Sequence, residues 1–264
     1  MDAYFNYKGG RVCYQLSGKG RAIVLIHGFL GDKEVWKYYH SSLSKSFKTI
    51  SIDLPGHGKS ESFGFVHQME YLAELLKSLL NHLKIRKCVI VGHSLGGYVA
   101  LALAEQYPDS ILGLILINST AKGDSKKKVA SRNQLIKLVK MNKDKALKLL
   151  VPSFFSAKTK WKTQLVNSYL KKALSCDKKG VIASIEGMKI RKEREIVLKF
   201  APYSYLIMAG ELDEIFSIEE LKSQANLNDN GYFIELKKAS HMAILEAKEE
   251  ILKQIKTFSK KLSL

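Results

Sequence analysis

The sequence predicts an α/β fold, a mostly parallel sheet with helices on both faces. Three observations carry that prediction. Short apolar, β-branched runs alternate with helix-patterned stretches from Ala22 to Ile117, the signature of strand–helix–strand units. The stretch Lys87-Cys88-Val89-Ile90-Val91-Gly92-His93-Ser94-Leu95-Gly96-Gly97 passes from a buried-strand pattern through Gly-X-Ser-X-Gly into a helix over Tyr98 to Gln106. The chain has 264 residues, 46% of them hydrophobic, which suits one large α/β domain with an insertion.

Taken in order, Ala3 to Tyr7 and Arg11 to Leu16 read as strands joined by the turn Lys8-Gly9-Gly10. Ala22 to Ile26 is a wholly apolar strand, ending in the loop His27-Gly28-Phe29-Leu30-Gly31-Asp32. Loops at strand C-terminal ends are where open α/β sheets gather function. Trp36 to Phe47 reads as a helix and Thr49 to Leu54 as a strand. The turn-rich Asp53-Leu54-Pro55-Gly56-His57-Gly58-Lys59-Ser60 follows. Met69, Leu72, Leu76, Leu79 and Leu83 fall on one helical face between Val66 and Leu83. Pro108 stops the helix after Ser94, and Ile111 to Ile117 is another buried strand. From Ala121 to Phe200 the alternation gives way to helical patterns, clearest at Gln134 to Met141 and Trp161 to Leu174. That stretch exceeds the ~12–15 residues typical of unstructured connections, so it reads as an inserted helical cap. Tyr203 to Ala209 resumes the sheet, followed by a helix near Ser217 to Ala225. Tyr232 to Leu236 is a last strand, and Ala243 to Leu262 reads as a C-terminal helix. The expected organisation is a core over 1–120, a cap over 121–200 and the rest of the core over 201–264.

Charge is unevenly placed. Ala121 to Phe200 holds 22 Lys and Arg against 6 Asp and Glu, while the rest holds 21 against 19. A basic segment of this kind steers anionic substrates or acidic partners. No nucleic-acid motif accompanies it, so nucleic acid is not an expected partner. No apolar run approaches the roughly 20 residues of a membrane span. Met1-Asp2-Ala3-Tyr4-Phe5 lacks a basic region followed by an apolar core, so no signal peptide is expected. Cys13, Cys88 and Cys176 are too scattered for a disulfide framework, which fits a reducing cytoplasm. No His-Glu-X-X-His, paired Cys-X-X-Cys or acid cluster occurs, so neither a metal site nor a cofactor is expected.

A serine at a sharp strand-to-helix turn is a nucleophile elbow, and a weak nucleophile needs a base held by an acid. The acid and the histidine follow the serine in chain order in such elbows. Asp213, after the strand ending at Ala209, and His241, after the strand ending at Leu236, meet that order. Glu211 and Glu214 flank Asp213 but lack the spacing. The expected triad is therefore Ser94, Asp213 and His241. The oxyanion of a tetrahedral intermediate needs two donors, expected from the Leu95 and Phe29 N–H groups. Phe29, Leu30, Tyr98, Phe154 and Trp161 are the candidate substrate-binding residues, with Phe155 and Tyr169 as further aromatic candidates. His40, His67 and His82 read as structural or exposed, His57 as a turn residue, and His93 as a local packing or hydrogen-bonding group.

His27-Gly28-Phe29-Leu30-Gly31, Asp53 to Ser60, Gly92-His93-Ser94-Leu95-Gly96-Gly97, Gly210-Glu211-Leu212-Asp213 and Ser240-His241 together resemble the α/β-hydrolase family, in family order and across the whole chain except the cap. The resemblance implies an eight-stranded, mostly parallel sheet, a helical cap over the site, and the triad named above. Within the family the chain is similar to small single-domain serine esterases of the pimeloyl-acyl-carrier-protein methyl ester esterase type. It is also similar to the menaquinone-pathway lyase succinyl-hydroxycyclohexadiene-carboxylate synthase. That lyase often has an arginine after the elbow glycines, where this chain has Tyr98. The expected activity is hydrolysis of a small-molecule ester or acyl substrate, an anionic one being favoured by the cap's charge. The alternative is a cofactor-free lyase or C–C hydrolase using the same triad. An acidic acyl-carrier protein is a candidate partner for the basic cap.

Overall fold

The computed structural model describes residues 1–159 and 162–262. Its strands are β1 (Asp2–Tyr7), β2 (Gly10–Ser17), β3 (Ala22–Ile26), β4 (Lys48–Ile52), β5 (Cys88–His93), β6 (Ile111–Ile117), β7 (Tyr205–Gly210) and β8 (Gly231–Leu236). They form one sheet in the order β1-β2-β4-β3-β5-β6-β7-β8. The pairings of β1 with β2 and β2 with β4 are antiparallel, and all the others are parallel. β3, β5 and β7 are buried along their whole length, which their unbroken apolar runs require of strands covered on both faces.

The helices are α1 (Lys37–Leu43), α2 (Met69–His82), α3 (Leu95–Gln106), α4 (Lys126–Leu150), α5 (Lys162–Ser175), α6 (Lys178–Lys189), α7 (Glu195–Lys199), α8 (Ile218–Ala225), α9 (Ala243–Glu246) and α10 (Lys248–Lys261). On α2 the spaced leucines Leu72, Leu76 and Leu79 are buried as their periodicity demands. Each such side chain contributes about 1.5–3 kcal/mol when fully buried. Between β6 and β7 the described residues contain α4 to α7 and no strand.

Several boundaries depart from the sequence reading, each for a local reason. The helix expected over Trp36 to Phe47 is a short 3-10 turn capped by Asp32, then α1. It stops at Leu43 because the Ser46 and Phe47 N–H groups both return to the Leu43 carbonyl. The stretch expected as helical over Gln134 to Met141 belongs to the longer α4, which kinks at Asn142 (φ −153, ψ 98). There the Asn142 side chain accepts the Lys145 N–H and caps a second helical run. The helix expected over Ala243 to Leu262 breaks at Ala247 (φ −119, ψ 40), which frees the Glu246 carboxylate to fold back on Ser240.

The inserted helices dock on the core by unusually close contacts. A Cβ on Gly56 would lie 2.5 Å from the Gly180 Cα, and one on Gly180 would lie 2.5 Å from the Gly56 Cα. A Cβ on Gly187 would lie 1.8 Å from the His67 carbonyl oxygen. The His67 N–H donates to the Ala183 carbonyl at 2.9 Å, and its Nδ1 hydrogen-bonds Ser184 Oγ at 3.1 Å. Arg194, itself buried, pairs with Glu70 on α2 and Glu105 on α3.

Candidate active site

Ser94 stands at the turn from β5 into α3, with φ +50 and ψ −115. Such backbone costs about 1–3 kcal/mol for a non-glycine residue and persists only where neighbours hold it. Here the Ser94 N–H donates to the Ile117 carbonyl at 3.0 Å. Its carbonyl accepts from the Gly97 N–H at 2.9 Å and Ser119 Oγ at 2.8 Å. A Cβ on Gly92 would meet the Gly96 carbonyl at 2.4 Å, and one on Gly96 would meet the Ile26 carbonyl at 2.2 Å. Strand and helix therefore approach closely at these two glycines, which leaves Ser94 at the tip.

His241, in the loop after β8, has Nε2 3.0 Å from Ser94 Oγ and Nδ1 3.0 Å from Asp213 Oδ2. Asp213 also accepts Asn118 Nδ2 on Oδ2 and the Ile215 N–H, at 2.8 Å, on Oδ1. Burial pushes the Asp213 carboxyl up, but His241, Asn118 and the Ile215 amide outweigh it and hold its pKa below the ordinary value. An ionised Asp213 is acceptor-only, so it fixes the proton of His241 on Nδ1 and leaves Nε2 to accept from the Ser94 hydroxyl. Glu211 instead accepts the Lys238 N–H at 2.8 Å.

Residues outside the expected triad hold this loop in place. Glu246 accepts the Ser240 N–H and Oγ and, on Oε1, the Thr159 hydroxyl at 2.8 Å. Asn118, itself at φ +46, also reaches the Ser240 carbonyl at 3.3 Å. His93 donates from Nε2 to the His241 carbonyl at 2.9 Å, a partner far away in sequence. Burial pulls the His93 pKa down to about 3, so the ring is neutral, with Nδ1 facing Gly28.

The loop after β3 makes a tight turn over Gly28–Gly31, closed by the Gly31 N–H on the Gly28 carbonyl at 3.1 Å, with Leu30 left-handed at φ +63. Its carbonyls are occupied from outside the turn. His27 Nδ1 donates to Gly28 O at 2.8 Å, a tautomer set by the Leu54 N–H on Nε2 at 2.9 Å. The Tyr169 hydroxyl, on α5, donates to Phe29 O at 2.7 Å, and Cys176 Sγ lies 4.0 Å from Leu30 O. Among the described residues neither the Phe29 nor the Leu95 N–H has an intramolecular acceptor. Leu95 opens α3, where N–H groups are unsatisfied and favour negative charge.

Beside Ser94 and His241 lies a cavity of about 80 Å³, walled mainly by Phe29, Tyr98, Phe154, Tyr169, Met188 and Phe216. Arg132, on α4, is its one Lys or Arg lining residue among those described. Of the sequence candidates, Phe29, Tyr98, Phe154 and Tyr169 line this cavity. Leu30 does not: its side chain is fully buried in the core, and the turn uses its backbone instead. Trp161 lies outside the described residues. His57 does sit in a turn, but it is buried against His27 and Phe29. His40 and His67 are buried and structural, and His82 is exposed.

A family model described as alpha/beta hydrolase fold matches residues 21–141. The dihydrolipoyllysine-residue acetyltransferase component of the acetoin cleaving system of Pseudomonas putida is 30% identical over 261 residues, 96% of this chain and 68% of that protein. Several other curated relatives match over about a third of their own length. Among solved structures, a thermophilic esterase from Thermogutta terrifontis, with malate bound, superposes with a TM-score of 0.92 at 28% identity, covering 99% of this chain and 98% of the other. The enol-lactonase from Burkholderia xenovorans LB400 has a TM-score of 0.90 at 23% identity, covering 98% and 100%.

Proposed function

The chain belongs to the alpha/beta hydrolase family, and from that premise we propose that it is a serine hydrolase of carboxylic esters working through Ser94, His241 and Asp213. Ser94 Oγ attacks the acyl carbon while His241 Nε2 takes its proton and Asp213 steadies the imidazolium. The carbonyl oxygen becomes an oxyanion held by the Phe29 and Leu95 N–H groups. Collapse expels the alcohol, which receives the proton from His241. Water, deprotonated by the same ring, then attacks the acyl-enzyme and frees Ser94.

The observation that carries this reading is the two-step relay, Ser94 to His241 to Asp213, with a 3.0 Å spacing at each step. Two unused amides beside it support the oxyanion assignment. The similarity to an esterase at 28% identity points the same way. The cavity of about 80 Å³ favours short acyl groups. A carrier-linked ester would suit the lysines of the inserted helices, and its kcat/KM would then fall as salt rises to physiological strength.

The test is hydrolysis of p-nitrophenyl esters from acetyl to decanoyl by the protein and by Ser94→Ala. Turnover favouring the shorter esters and lost in Ser94→Ala is the expected result. If no ester is cleaved while a fluorophosphonate still labels Ser94, ester hydrolysis is refuted. The second reading, a cofactor-free lyase or C–C hydrolase, would then lead. It is favoured by the guanidinium of Arg132 on the cavity wall, which suits an anionic substrate.

A further inference from the structure

A guanidinium on a largely aromatic cavity wall calls for an explanation, because even a part-buried cation loses hydration that a partner must replace. Arg132 is paired only in part. Its Nε bonds Asp124 Oδ2, and its Nη1 has a weak contact with Met188 Sδ at 3.5 Å. Its Nη2 has no acceptor among the described residues. The Asp124 side chain is fully buried, and its other oxygen takes Nη1 of Arg191 at 2.5 Å. One carboxylate therefore lies between two guanidiniums, and one positive charge is left over.

Both Nη atoms of Arg191 are engaged, while its buried Nε has no acceptor among the described residues. Arg191 donates to the Met188 and Lys122 carbonyls at 2.9 and 3.0 Å and stacks on the Tyr98 ring at 4.0 Å. Lys128, one turn before Arg132 on α4, lies 4.5 Å over the Phe216 ring and adds a further cation. The acids facing the group are Asp124 and Glu220, and Glu220 accepts the Thr120 hydroxyl. The excess charge thus reaches the cavity through Arg132. The Tyr98 hydroxyl, which lines the same cavity, also has no partner among the described residues.

We infer that Arg132 is an anion subsite of the catalytic cavity and that the substrate's acyl group ends in a carboxylate, as in a half-ester of a short dicarboxylic acid. A planar guanidinium anchored through Nε on a fixed carboxylate presents its outer edge in the geometry that binds a carboxylate. The small cavity limits the chain between the two carbonyl carbons to a few methylenes. That the bound acyl group is then hydrolysed rests on the reading under Proposed function. The subsite itself is a claim about binding.

The experiment has two arms. The first compares kcat/KM for monomethyl glutarate with that for methyl valerate, in the protein and in Arg132→Gln and Arg132→Lys. A preference of about tenfold or more for the anionic ester is expected, falling about tenfold in Arg132→Gln and partly kept in Arg132→Lys. The second measures the melting-temperature rise given by glutarate at constant ionic strength, which needs no turnover. A rise in the protein that is absent in Arg132→Gln is expected. Asp124 keeps Arg191 in that variant, so the fold is retained. No preference for the anionic ester, or an equal glutarate shift in both proteins, overturns the subsite. If no ester is cleaved and yet the glutarate shift depends on Arg132, the subsite stands and ester hydrolysis falls.

Discussion

Tyr169→Phe removes one oxygen atom and tests whether the inserted helices tune the loop that carries the proposed Phe29 oxyanion donor. The hydroxyl donates to the Phe29 carbonyl at 2.7 Å, and Tyr169 is buried against Phe154 and Phe155. Phenylalanine keeps those ring contacts and leaves a buried carbonyl without a donor, a cost of about 1–3 kcal/mol. The turn has two responses. If it keeps its shape, the cost is a loss of stability, roughly 2–6 °C in melting temperature for a chain of this size. If it rotates the carbonyl toward water, the Phe29 N–H moves off the proposed oxyanion position, where one donor would be worth ~10²–10³ in kcat. Because Leu30 is already left-handed at φ +63, the turn is held under strain and the second response is expected to dominate. Steady-state kinetics on the best p-nitrophenyl ester should show kcat down about 10-fold to 100-fold, with KM within about threefold, since substrate contacts survive. A variant that melts lower but keeps kcat within about twofold would refute the reasoning and make Tyr169 a packing residue.

Two further outcomes follow from buried contacts. Asp124→Asn leaves two guanidiniums without their counter-charge and should cost about 3–5 kcal/mol, or roughly 6–10 °C by differential scanning calorimetry. Burial pushes the Asp124 carboxyl up, but Arg132 and Arg191 outweigh it and hold its pKa below the ordinary value of 3.8. Its stabilisation is therefore present above that value and lost as pH falls through the lower folded-state pKa, so the gap between protein and variant should close in that acid range. Gly187→Ala forces a Cβ to 1.8 Å from the His67 carbonyl and should displace α6, seen as new proteolytic cleavage within residues 121–200. An unchanged digest would contradict the docking described above.

β3 and β6 match their expected bounds because their ends coincide with abrupt changes from apolar to polar or turn-forming residues. The positions of Ser94, Asp213 and His241 were legible for a related reason, since each follows a recognisable strand. What stayed hidden depends on contacts between loops rather than on period. Nothing local in the sequence connects His93 to the His241 carbonyl, or Glu246 to Ser240 and Thr159. Arg132 reads as one cation among many on a basic segment until Asp124 and Arg191 are seen to fold around it. Leu30, beside Phe29 in a loop at a strand end, reads as a pocket residue in sequence, whereas its side chain is fully buried and the turn uses its backbone. The break at Ala247 escapes helical pattern because it serves a carboxylate rather than a change in hydrophobicity.

The contact of Gly56 with Gly180, and that of Gly187 with the His67 carbonyl, bear on how this scaffold acquires new substrates. With main chain on one side and no side chain on the other, no exchange of side chains can bring the axis of α6 closer, and a side chain added at the glycines pushes it away. Met188 on that helix can be replaced in place, but the helix cannot be drawn closer to the core. Arg132 on α4 and Tyr169 on α5 instead reach the cavity as single side chains; replacing Arg132 leaves the main chain in place, whereas replacing Tyr169 acts through the Phe29 carbonyl it holds. A drift in specificity along this lineage should therefore be written in those two helices, while the three glycines remain as the fixed reference against which the cavity is reshaped.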